Sequence, residues 1–529
     1  MSRMKVYAPG ELDRLKDAWL GDPDKNTDTA IYDQTWNDMN MDSVLSRIDT
    51  CASLAGEERL YAMLREPFSD ADEIRRRDGL IRCFDSDARL CDEYRKRLSE
   101  IGDNIKQPAG VTIAGLETVK TRGNALHVIC ALLGVASIAM IFISPSAGLL
   151  MFLAVLVLNI ATYFRRKDEI GEQLNCFIYL IRSYRAAVSM LGVKDDEDRE
   201  YRKSLRRSTD ILRPVVRGSF LVTGGRGLTG SIVNMVLDYL RIFFHLDLMK
   251  FNSMQRQVLS HREDIAGLFR TLGDIDAFMA IAAYRRSLPV WCVPEYRGDV
   301  PADITMEIKG LYHPLIDDAV RNDIHTSSGK GILITGSNAS GKSTFLRATA
   351  LSAILGQSIA TVAAASYRAP RYRIVSSMTV SDDILQGDSY YMAEIKSVKR
   401  ILDVSRTEPD IPLLCFVDEV LRGTNTVERI AASSEILKSL GRQNVLSFAA
   451  THDIELTEIL SDSYDNYHFE ETINGSDIRF SYRLEAGPAK TRNAIKLLEI
   501  MGYDSDMIRA AKERAGSFEK SEEMRCRSV

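Results

Sequence analysis

The sequence predicts an α + α/β chain in which a helical domain, interrupted by an apolar helical hairpin, precedes an α/β domain. Three observations support this fold class. Apolar residues recur near helical spacing early in the chain, as at Leu45, Ile48, Leu60 and Leu64. Two uncharged apolar runs lie within residues 125–164. Further on, short apolar strands alternate with helical patterns, which is typical of a parallel sheet with crossover helices.

Length and composition indicate a folded chain of several domains. The 529 residues leave room for about three domains, and 45% hydrophobic residues is ordinary for a globular protein. The eight cysteines include no C-x-x-C motif and no cluster with histidine, which indicates reduced thiols and argues against a disulfide framework or a zinc site. The net charge of −5 gives no global attraction to nucleic acid. The N-terminal stretch has no apolar h-region, so no cleaved signal peptide is expected.

The two uncharged runs predict a transmembrane helical hairpin. Residues 125–143 and 147–164 contain no Asp, Glu, Lys or Arg, and a Ser-Pro-Ser turn separates them. A membrane-spanning helix needs about 20 apolar residues, so each run is just long enough. The alternative is a buried hairpin inside a large helical domain, but buried helices usually keep a polar stripe and only Asn159 interrupts the second run. We therefore expect residues 125–164 to contact membrane lipid.

The charges that flank the hairpin predict its orientation. Lys120 and Arg122 precede the first run, Arg165, Arg166 and Lys167 follow the second, and the turn carries no charge. Because Lys and Arg are enriched on the cytoplasmic side of a membrane, we expect both ends of the hairpin in the cytoplasm. The predicted location is the cytoplasmic face of the cell membrane.

A phosphate-binding loop is predicted within residues 331–344, which read GILITGSNASGKST. A short apolar strand leads into G-x-x-x-x-G-K-S, and a helical pattern follows, as this motif requires. The glycines let backbone amides point at phosphates, Lys342 places a positive charge near the β and γ oxygens, and the Ser343 hydroxyl can ligate Mg²⁺. We therefore expect ATP and Mg²⁺ as ligands. The predicted nucleotide-binding residues are Gly336, Ser337, Asn338, Ala339, Ser340, Gly341, Lys342, Ser343 and Thr344.

Two further strand ends carry groups suited to phosphate hydrolysis. The run PLLCFVDEV contains Asp418, placed to join Ser343 as a Mg²⁺ ligand, and Glu419, placed to polarise the attacking water. The run VLSFAATH ends in His452, which suits a sensor of the γ-phosphate, although a lone histidine is more often structural. Together these residues predict a Mg²⁺-dependent ATPase with Lys342, Glu419 and His452 in catalytic roles.

In this order the motifs resemble those of the MutS family of DNA mismatch-repair ATPases. GSNASGKST resembles the family's Walker A motif, SDDILQGDSYYMAEI its signature segment, LLCFVDEVLRGTNT its Walker B and D-loop, and FAATHDIELTEI its His loop. The resemblance implies an ABC-type ATPase domain in which two protomers sandwich ATP, and therefore a homodimer through these domains. It also implies that Ser389 of one protomer reaches the γ-phosphate held by Lys342 of the other.

Departures from the family pattern bear on DNA recognition. Members that read mismatches carry an N-terminal domain with a Phe-x-Glu motif, whereas the first phenylalanine here is Phe68 and the Phe-x-Glu at Phe469 lies late in the ATPase domain. We therefore expect a membrane-anchored member that lacks the N-terminal mismatch-recognition domain. The family's adenine-stacking aromatic is also missing near Ala319 and Val320, so the residue that contacts the base stays open.

The predicted domain limits follow these motifs. The resemblance implies a helical core and lever domain in two parts, residues 1–124 and 168–300, with the hairpin of residues 125–167 inserted between them. Residues 301–515 form the ATPase domain, and residues 516–529 form a charged tail. The lever helices are expected to carry motion from the ATPase domain toward the membrane.

One helical segment predicts a basic face. Arg202, Lys203, Arg206 and Arg207 stand at i, i+1, i+4 and i+5, so they share one side of a helix. Such a face could neutralise DNA phosphates, lie near anionic lipid, or stay solvated beside the acidic run KDDEDREY. The sequence leaves these three alternatives open.

A second glycine pattern imitates a dinucleotide-binding fingerprint. Gly225, Gly227 and Gly230 match G-x-G-x-x-G, and Asp247 follows about twenty residues later. No alternation of strands and helices follows, so we expect a loop between helices here.

Two functions from different classes are consistent with these patterns. The first is a dimeric MutS-like ATPase that binds mismatched, branched or damaged DNA while tethered to the membrane. The alternative is a membrane mechano-ATPase that has lost DNA binding and acts on a protein partner. A dependence of the ATPase rate on DNA would separate them.

Overall fold

The chain folds into two compact units. The computed structural model describes residues 4–526, apart from residues 68–69, 103–122, 197–198, 220–238, 297–303, 328, 338–339, 379–389, 408–410, 422–423, 475–476, 490–494, 496–497 and 500–501. Unit 1 comprises Met1–Asn26, Leu45–Leu64 and Gly79–Ser287. Unit 2 comprises Thr27–Val44, Arg65–Asp78 and Leu288–Val529, and therefore includes two segments from the first eighty residues.

Helices dominate the first part of the chain and alternate with strands in the second. In chain order they are α1 (Glu11–Leu20), α2 (Asp33–Asp38), α3 (Met41–Ile48), α4 (Leu54–Arg65), α5 (Ala71–Ser86), α6 (Ala88–Ser99), α7 (Ala125–Ile143), α8 (Pro145–Glu169), α9 (Gly171–Leu191), α10 (Glu200–Val216), α11 (Leu246–Ser260), α12 (Arg262–Ser287), α13 (Lys342–Ile359), α14 (Tyr390–Thr407), α15 (Thr426–Leu440), α16 (Glu455–Ile459) and α17 (Ser505–Cys526). The predicted α + α/β class agrees with this mixture of helices and partly parallel sheets.

Helix α12 contributes much of the core of unit 1. Leu268, Leu272 and Ile275 recur at helical spacing and are buried. Asp276 is buried beside them, and its carboxylate accepts hydrogen bonds from the backbone N–H of Ser53 at 2.8 Å and from the Ser53 hydroxyl at 2.6 Å. Burial raises the pKa of Asp276 to about 6. The contact ties α12 to the turn that precedes α4.

Helices α7 and α8 form the hairpin that the sequence predicts. Pro145 is the first residue of α8, where its missing N–H removes no helical hydrogen bond. Gly148 lies against the preceding helix, since a Cβ there would stand 2.4 Å from the backbone nitrogen of Ile141. Both helices are long and apolar enough to cross a bilayer, and only 22% of the most apolar window of each is buried. The two apolar helices are thus confirmed, and their placement in a membrane stays a prediction.

The inner side of the hairpin is held by a buried amide. The side chain of Asn159 donates to the backbone oxygen of Cys130 at 3.2 Å and to that of Phe243 at 2.8 Å. The nitrogen of this buried amide is thus hydrogen-bonded, which compensates part of the cost of burying it. Asn159 therefore joins both helices of the hairpin to the segment that leads into α11.

Two sheets form the framework of unit 2. Its strands are β1 (Glu295–Tyr296), β2 (Glu307–Leu311), β3 (Asn322–His325), β4 (Gly331–Thr335), β5 (Ser366–Ala369), β6 (Arg373–Ser377), β7 (Leu413–Asp418), β8 (Val445–Ala450), β9 (Tyr464–Asn474) and β10 (Asp477–Ala486). The smaller sheet has the order β1-β5-β2-β3, and the larger has the order β10-β9-β4-β8-β7-β6. All neighbouring pairs in the larger sheet are parallel except β9 and β10.

The register of the larger sheet brings three strand ends together. Ile334 of β4 and Asp418 of β7 both pair with Ala450 of β8. Since these strands are parallel, their carboxyl ends lie at one edge of the sheet, where α/β proteins place their ligand sites. The glycine loop follows β4, Glu419 follows β7 and His452 comes soon after β8.

A segment from the first eighty residues packs on the edge strand β6. The Asp38 carboxylate accepts hydrogen bonds from the Ser376 hydroxyl at 2.6 Å and the Met378 backbone N–H at 3.0 Å. The Thr35 hydroxyl accepts the Ser376 N–H at 3.1 Å. Helix α2 thereby satisfies backbone groups that an edge strand would otherwise expose.

Candidate active site

The loop between β4 and α13 requires glycine at both ends. Gly336 has φ 143° and Gly341 has φ 112°, conformations that residues with a side chain rarely adopt. A Cβ on Gly336 would also lie 2.7 Å from the backbone oxygen of Phe469. These two glycines therefore let the backbone curl tightly ahead of α13. Asn338 and Ala339, which the sequence also assigned to this loop, lie outside the described residues.

Lys342 lies in the hollow of this loop. Its ammonium group donates hydrogen bonds to the backbone oxygens of Gly336 at 2.7 Å and Ser337 at 2.8 Å. The same nitrogen lies 3.4 Å from Nδ1 of His452. Lys342 is buried at the first turn of α13, so its charge and the positive end of the helix act on the same small volume.

Ser343 and Asp418 form a pair of oxygen donors beside the loop. The Ser343 hydroxyl donates to the Asp418 carboxylate at 2.5 Å. Asp418 is the last residue of the fully buried strand β7 and is itself buried. Hydroxyl and carboxylate oxygens are ligands that Mg²⁺ prefers, so these two residues have the chemistry of a magnesium site.

Glu419 and His452 face each other across two neighbouring strand ends. The Glu419 carboxylate contacts Nε2 of His452, and Nδ1 of His452 lies 3.1 Å from the backbone oxygen of Gly336. Glu419 adopts a left-handed conformation with φ 54°, and its N–H donates to Ala450 O at 2.9 Å. The strained turn directs the carboxylate away from the strand and toward the glycine loop.

A cavity of about 600 Å³ opens beside these groups. Lys342, Ser343 and Glu419 contribute to its lining, together with Ala319 and Val320. The phenylalanine and tyrosine side chains that line it are Tyr312, Phe345, Phe469 and Tyr482. The cavity is thus large enough for a nucleotide-sized ligand and combines charged with aromatic walls.

Tyr482 is a lining residue that the sequence analysis did not assign. Its side chain is 46% exposed, and its Cδ1 atom lies 3.3 Å from where a Cβ on Gly341 would stand. Tyr482 has φ 52° and lies at a register shift between Phe480 and Leu484. The irregularity in the strand sets the direction of the Tyr482 ring. Regular strand alternation therefore could not predict that this ring lines the cavity.

His313 is a second unassigned residue of the cavity. Burial, with a smaller contribution from the positive charge of Arg347, lowers its pKa to about 4. Its Nδ1 atom accepts the N–H of Leu315 at 3.3 Å, which requires the neutral ring. His313 is therefore uncharged at neutral pH.

The structure brings most of the predicted site residues to one place and leaves some undescribed. The described predicted residues near the loop are Gly336, Ser337, Ser340, Gly341, Lys342, Ser343, Thr344, Asp418, Glu419 and His452. Ser389 belongs to residues 379–389, which lie outside the described part of the chain, as do Gly225, Gly227 and Gly230 of the second glycine pattern. Asp247, assigned to that pattern, instead accepts a hydrogen bond from the Tyr163 hydroxyl at 2.7 Å.

The predicted basic face on α10 is wrong at Arg202. This side chain is 1% exposed, and its guanidinium donates to the backbone oxygens of Leu191 at 2.9 Å and Val193 at 3.2 Å. The last carbonyls of α9 have no partner within the helix, and a buried arginine satisfies them. Lys203, Arg206 and Arg207 are exposed, so the surface that remains is smaller than predicted.

The fold and the site define a class of mixed helical and α/β proteins. The site lies at the carboxyl edge of a parallel sheet. It combines a glycine-rich strand–loop–helix turn with a Ser–Asp pair and a Glu–His pair. Residues 332–519 match the family model for MutS domain V. The chain is also 31% identical over 286 residues to the DNA mismatch repair protein MutS of Rickettsia bellii (strain RML369-C).

Both similarities are to MutS, the family that the sequence motifs resemble. The match to the Rickettsia protein covers 51% of this chain and 31% of that relative. The chain therefore covers less than a third of the relative's length.

Proposed function

We propose that this chain is a MutS-like, Mg²⁺-dependent ATPase that hydrolyses ATP to ADP and phosphate. The observation that carries the proposal is the convergence of Lys342, Ser343, Asp418, Glu419 and His452 at one sheet edge beside the cavity. The relationship to MutS agrees with this activity, because members of that family are ATPases.

The residues present fit ATP and Mg²⁺. Gly336 and Gly341 have the positive φ angles that let the backbone of such a loop curl around a phosphate, and α13 begins directly after them. Ser343 and Asp418 would hold the metal, because both offer oxygen ligands and their side chains already contact each other. When bound, Mg²⁺ neutralises charge on the phosphate oxygens.

Three side chains of the site have the remaining roles in binding the phosphates and activating the water. Lys342 exchanges its hydrogen bonds to the loop carbonyls for bonds to the terminal phosphates. Glu419 orients the attacking water and accepts its proton. His452 contacts both the Glu419 carboxylate and the loop, so it positions Glu419 and can detect a phosphate placed between them.

We also propose that two protomers complete the site. The ATPase domain of one copy would supply Ser389 to the nucleotide bound by the other, as the resemblance to MutS implies. The dimer would close when ATP binds and reopen when it is hydrolysed.

The hairpin would tether this ATPase to the membrane, with both termini in the cytoplasm. Its support is the apolar surface that α7 and α8 leave uncovered among the described residues. The exposed side chains are Leu126, Val128, Ile129, Leu132, Val135, Ile138, Phe142, Ile143, Leu149, Leu150, Leu153, Val157, Leu158, Ile160 and Phe164. Such a continuous apolar surface is unfavourable in water and suits hydrocarbon.

The tethered ATPase would act on mismatched, branched or damaged DNA in an ATP-dependent way. Support comes from the relationship to MutS and from the exposed cations Lys203, Arg206 and Arg207. The second candidate is a mechano-ATPase that acts on a protein partner. The burial of Arg202 favours it, because this removes one of the four cations assigned to DNA.

The test is the ATPase rate of the full-length protein in detergent or nanodiscs, with and without duplex and branched DNA at several salt concentrations. Lys342→Ala should abolish most of the rate, and Glu419→Gln should lower it by about 100-fold while ATP still binds. Lys330→Ala is the matched control, because this lysine lies before β4 and pairs with Asp465 instead of facing the cavity.

The outcomes separate the alternatives. A Lys342-dependent rate that DNA stimulates, less so as salt rises, supports the DNA-acting ATPase. A Lys342-dependent rate that no DNA changes favours the mechano-ATPase. A rate that survives Lys342→Ala and Glu419→Gln contradicts the proposed site.

A further inference from the structure

We infer that Glu394 is a positioning residue that holds the strained turn carrying Glu419 and so couples helix α14 to hydrolysis. This inference rests on the proposed ATPase function and deepens it by naming a control point of the same site.

The turn after β7 contains two strained residues. Glu419 and Leu421 both adopt left-handed conformations, with φ 54° and 60°. Residues with a Cβ avoid this region, and a β-strand that ends in it persists only where neighbouring contacts hold it. The turn therefore needs partners that fix its backbone, and these partners decide where the Glu419 carboxylate points.

Glu394 supplies a side-chain contact to the backbone of this turn. It lies near the start of α14, its side chain is 4% exposed, and its Oε1 atom accepts the backbone N–H of Leu421 at 2.5 Å. Among the described residues, two further hydrogen bonds reach the backbone of the turn: Glu419 N–H donates to Ala450 O at 2.9 Å, and the Ser433 hydroxyl donates to Val420 O at 3.3 Å. Of these three hydrogen bonds to the turn's backbone among the described residues, the one to Glu394 has an ionisable partner, and such bonds are the stronger kind.

The burial of this carboxylate points to a specific role. A buried carboxylate is unfavourable unless hydrogen bonds compensate it, and an apolar residue would pack at the same place without that penalty. Val420 and Leu421 are themselves buried, so the turn is embedded in the core and its position follows that of α14. A shift of α14 would move the Leu421 amide, and Glu419, two residues away, would move with it.

The consequence for catalysis concerns the chemical step and not nucleotide binding. Glu394 does not line the cavity, whereas Lys342 and the glycine loop do. Loss of the hydrogen bond to Leu421 should misdirect Glu419 while the phosphate cradle stays intact. The expected signature is a fall in kcat with little change in KM or in nucleotide affinity.

The experiment compares Glu394→Leu, Glu394→Asp and Glu394→Gln in the full-length protein. The leucine variant removes the acceptor, the aspartate variant retracts it by one methylene, and the glutamine variant keeps an acceptor oxygen at the same reach. For each variant we measure hydrogen exchange of the Leu421 amide in the absence of nucleotide. We also measure ATP affinity, kcat, KM and thermal unfolding. Glu435→Ala is the matched control, since this exposed glutamate of α15 pairs only with Lys438 among the described ion pairs.

We expect the leucine and aspartate variants to exchange the Leu421 amide about tenfold faster and to lose about tenfold or more in kcat, with ATP affinity within about twofold of the wild type. The glutamine variant should stay near the wild type in both readouts. Unchanged Leu421 exchange in the aspartate variant, or an equal loss of affinity and kcat, would overturn the inference. If the wild type has no Lys342-dependent rate, the proposed function fails instead, while the exchange measurement still decides the contact.

Discussion

At the scale of single residues, Tyr482 presents an exposed aromatic ring beside the glycine loop. Base–aromatic stacking contributes about 1–3 kcal/mol per base, whichever base is bound. We expect Tyr482→Ala to weaken ATP binding by about tenfold, because the ring is lost while the loop is untouched, and Tyr482→Phe to bind normally. Fluorescence titration with a labelled ATP analogue measures this.

Tyr503→Ala is the control for that titration, because Tyr503 is also exposed but does not line the cavity. Equal affinities of the wild type and Tyr482→Ala would show that the base lies elsewhere in the cavity.

His313 makes the stability of unit 2 depend on pH. Its folded pKa of about 4 lies below the ordinary value of 6.5. Between these values the unfolded chain binds more protons than the folded chain, so the contribution of His313 is present above pH 6.5 and is lost as the pH falls toward 4. The loss is at most about 3 kcal/mol.

Urea unfolding of wild type and His313→Asn across pH 4–8 tests this. Asparagine keeps an acceptor for the Leu315 N–H but does not titrate. The difference in unfolding free energy between the two proteins should therefore shrink on acidification. A difference that does not change with pH would contradict the proposed cause.

At the scale of helices and strands, patterns that local chemistry determines were predictable from the sequence. The two uncharged runs predicted the two apolar helices. The glycine loop, the acidic strand end and the histidine strand end, each following a predicted strand, indicated one site, and these strands do end at one edge of the sheet. The features that the sequence did not predict depend on tertiary contacts. Arg202 shares helical phase with exposed cations, but α9 ends where its guanidinium can reach the free carbonyls. The packing of α2 on β6 has no local signal either.

The hairpin supports a prediction at this same scale. If α7 and α8 lie in hydrocarbon, charge on their exposed face should be expelled from the membrane, at about 2.5–3.5 kcal/mol per arginine at the centre of a span. Leu132 and Leu153 are exposed on the two helices. We expect Leu132→Arg combined with Leu153→Arg to shift the protein from the membrane fraction to the soluble or aggregated fractions.

Liposome flotation of the full-length protein measures that shift. Leu20→Arg is the matched control, since Leu20 is an exposed leucine at the end of α1, outside the hairpin. Equal flotation of the double variant and the wild type would contradict a bilayer-embedded hairpin.

At the scale of the whole molecule, the proposed shared site would make hydrolysis a property of the dimer. Lys342→Ala removes the positive charge from its own site, and Ser389→Ala would remove the group that the proposal assigns to the other site. In a mixed dimer one site keeps both residues and the other loses both. Mixing two inactive variants should therefore restore about a quarter of the wild-type rate at equal ratio, because half of the dimers are mixed and each has one intact site.

The control for this mixing experiment is Lys342→Ala mixed with Glu419→Gln. Both residues belong to the same protomer's site in the proposal, so every site of a mixed dimer would lack one of them. This pair should stay inactive. Restoration in the control, or none in the first mixture, would contradict a site built from two protomers.

DNA binding is the last whole-molecule question, because the chain carries a net charge of −5 and any DNA contact must be local. The exposed cations Lys203, Arg206 and Arg207 would each neutralise about one phosphate. Reversing all three to glutamate should therefore make the negative slope of log affinity against log salt shallower by about three units. Reversing Arg75 and Arg89, exposed arginines elsewhere on the helical part of the chain, should leave the slope unchanged. Filter binding of branched DNA at four salt concentrations gives both slopes. A wild type that binds DNA with the same slope as the triple variant would move the DNA surface away from α10, and a wild type without measurable binding would favour the mechano-ATPase.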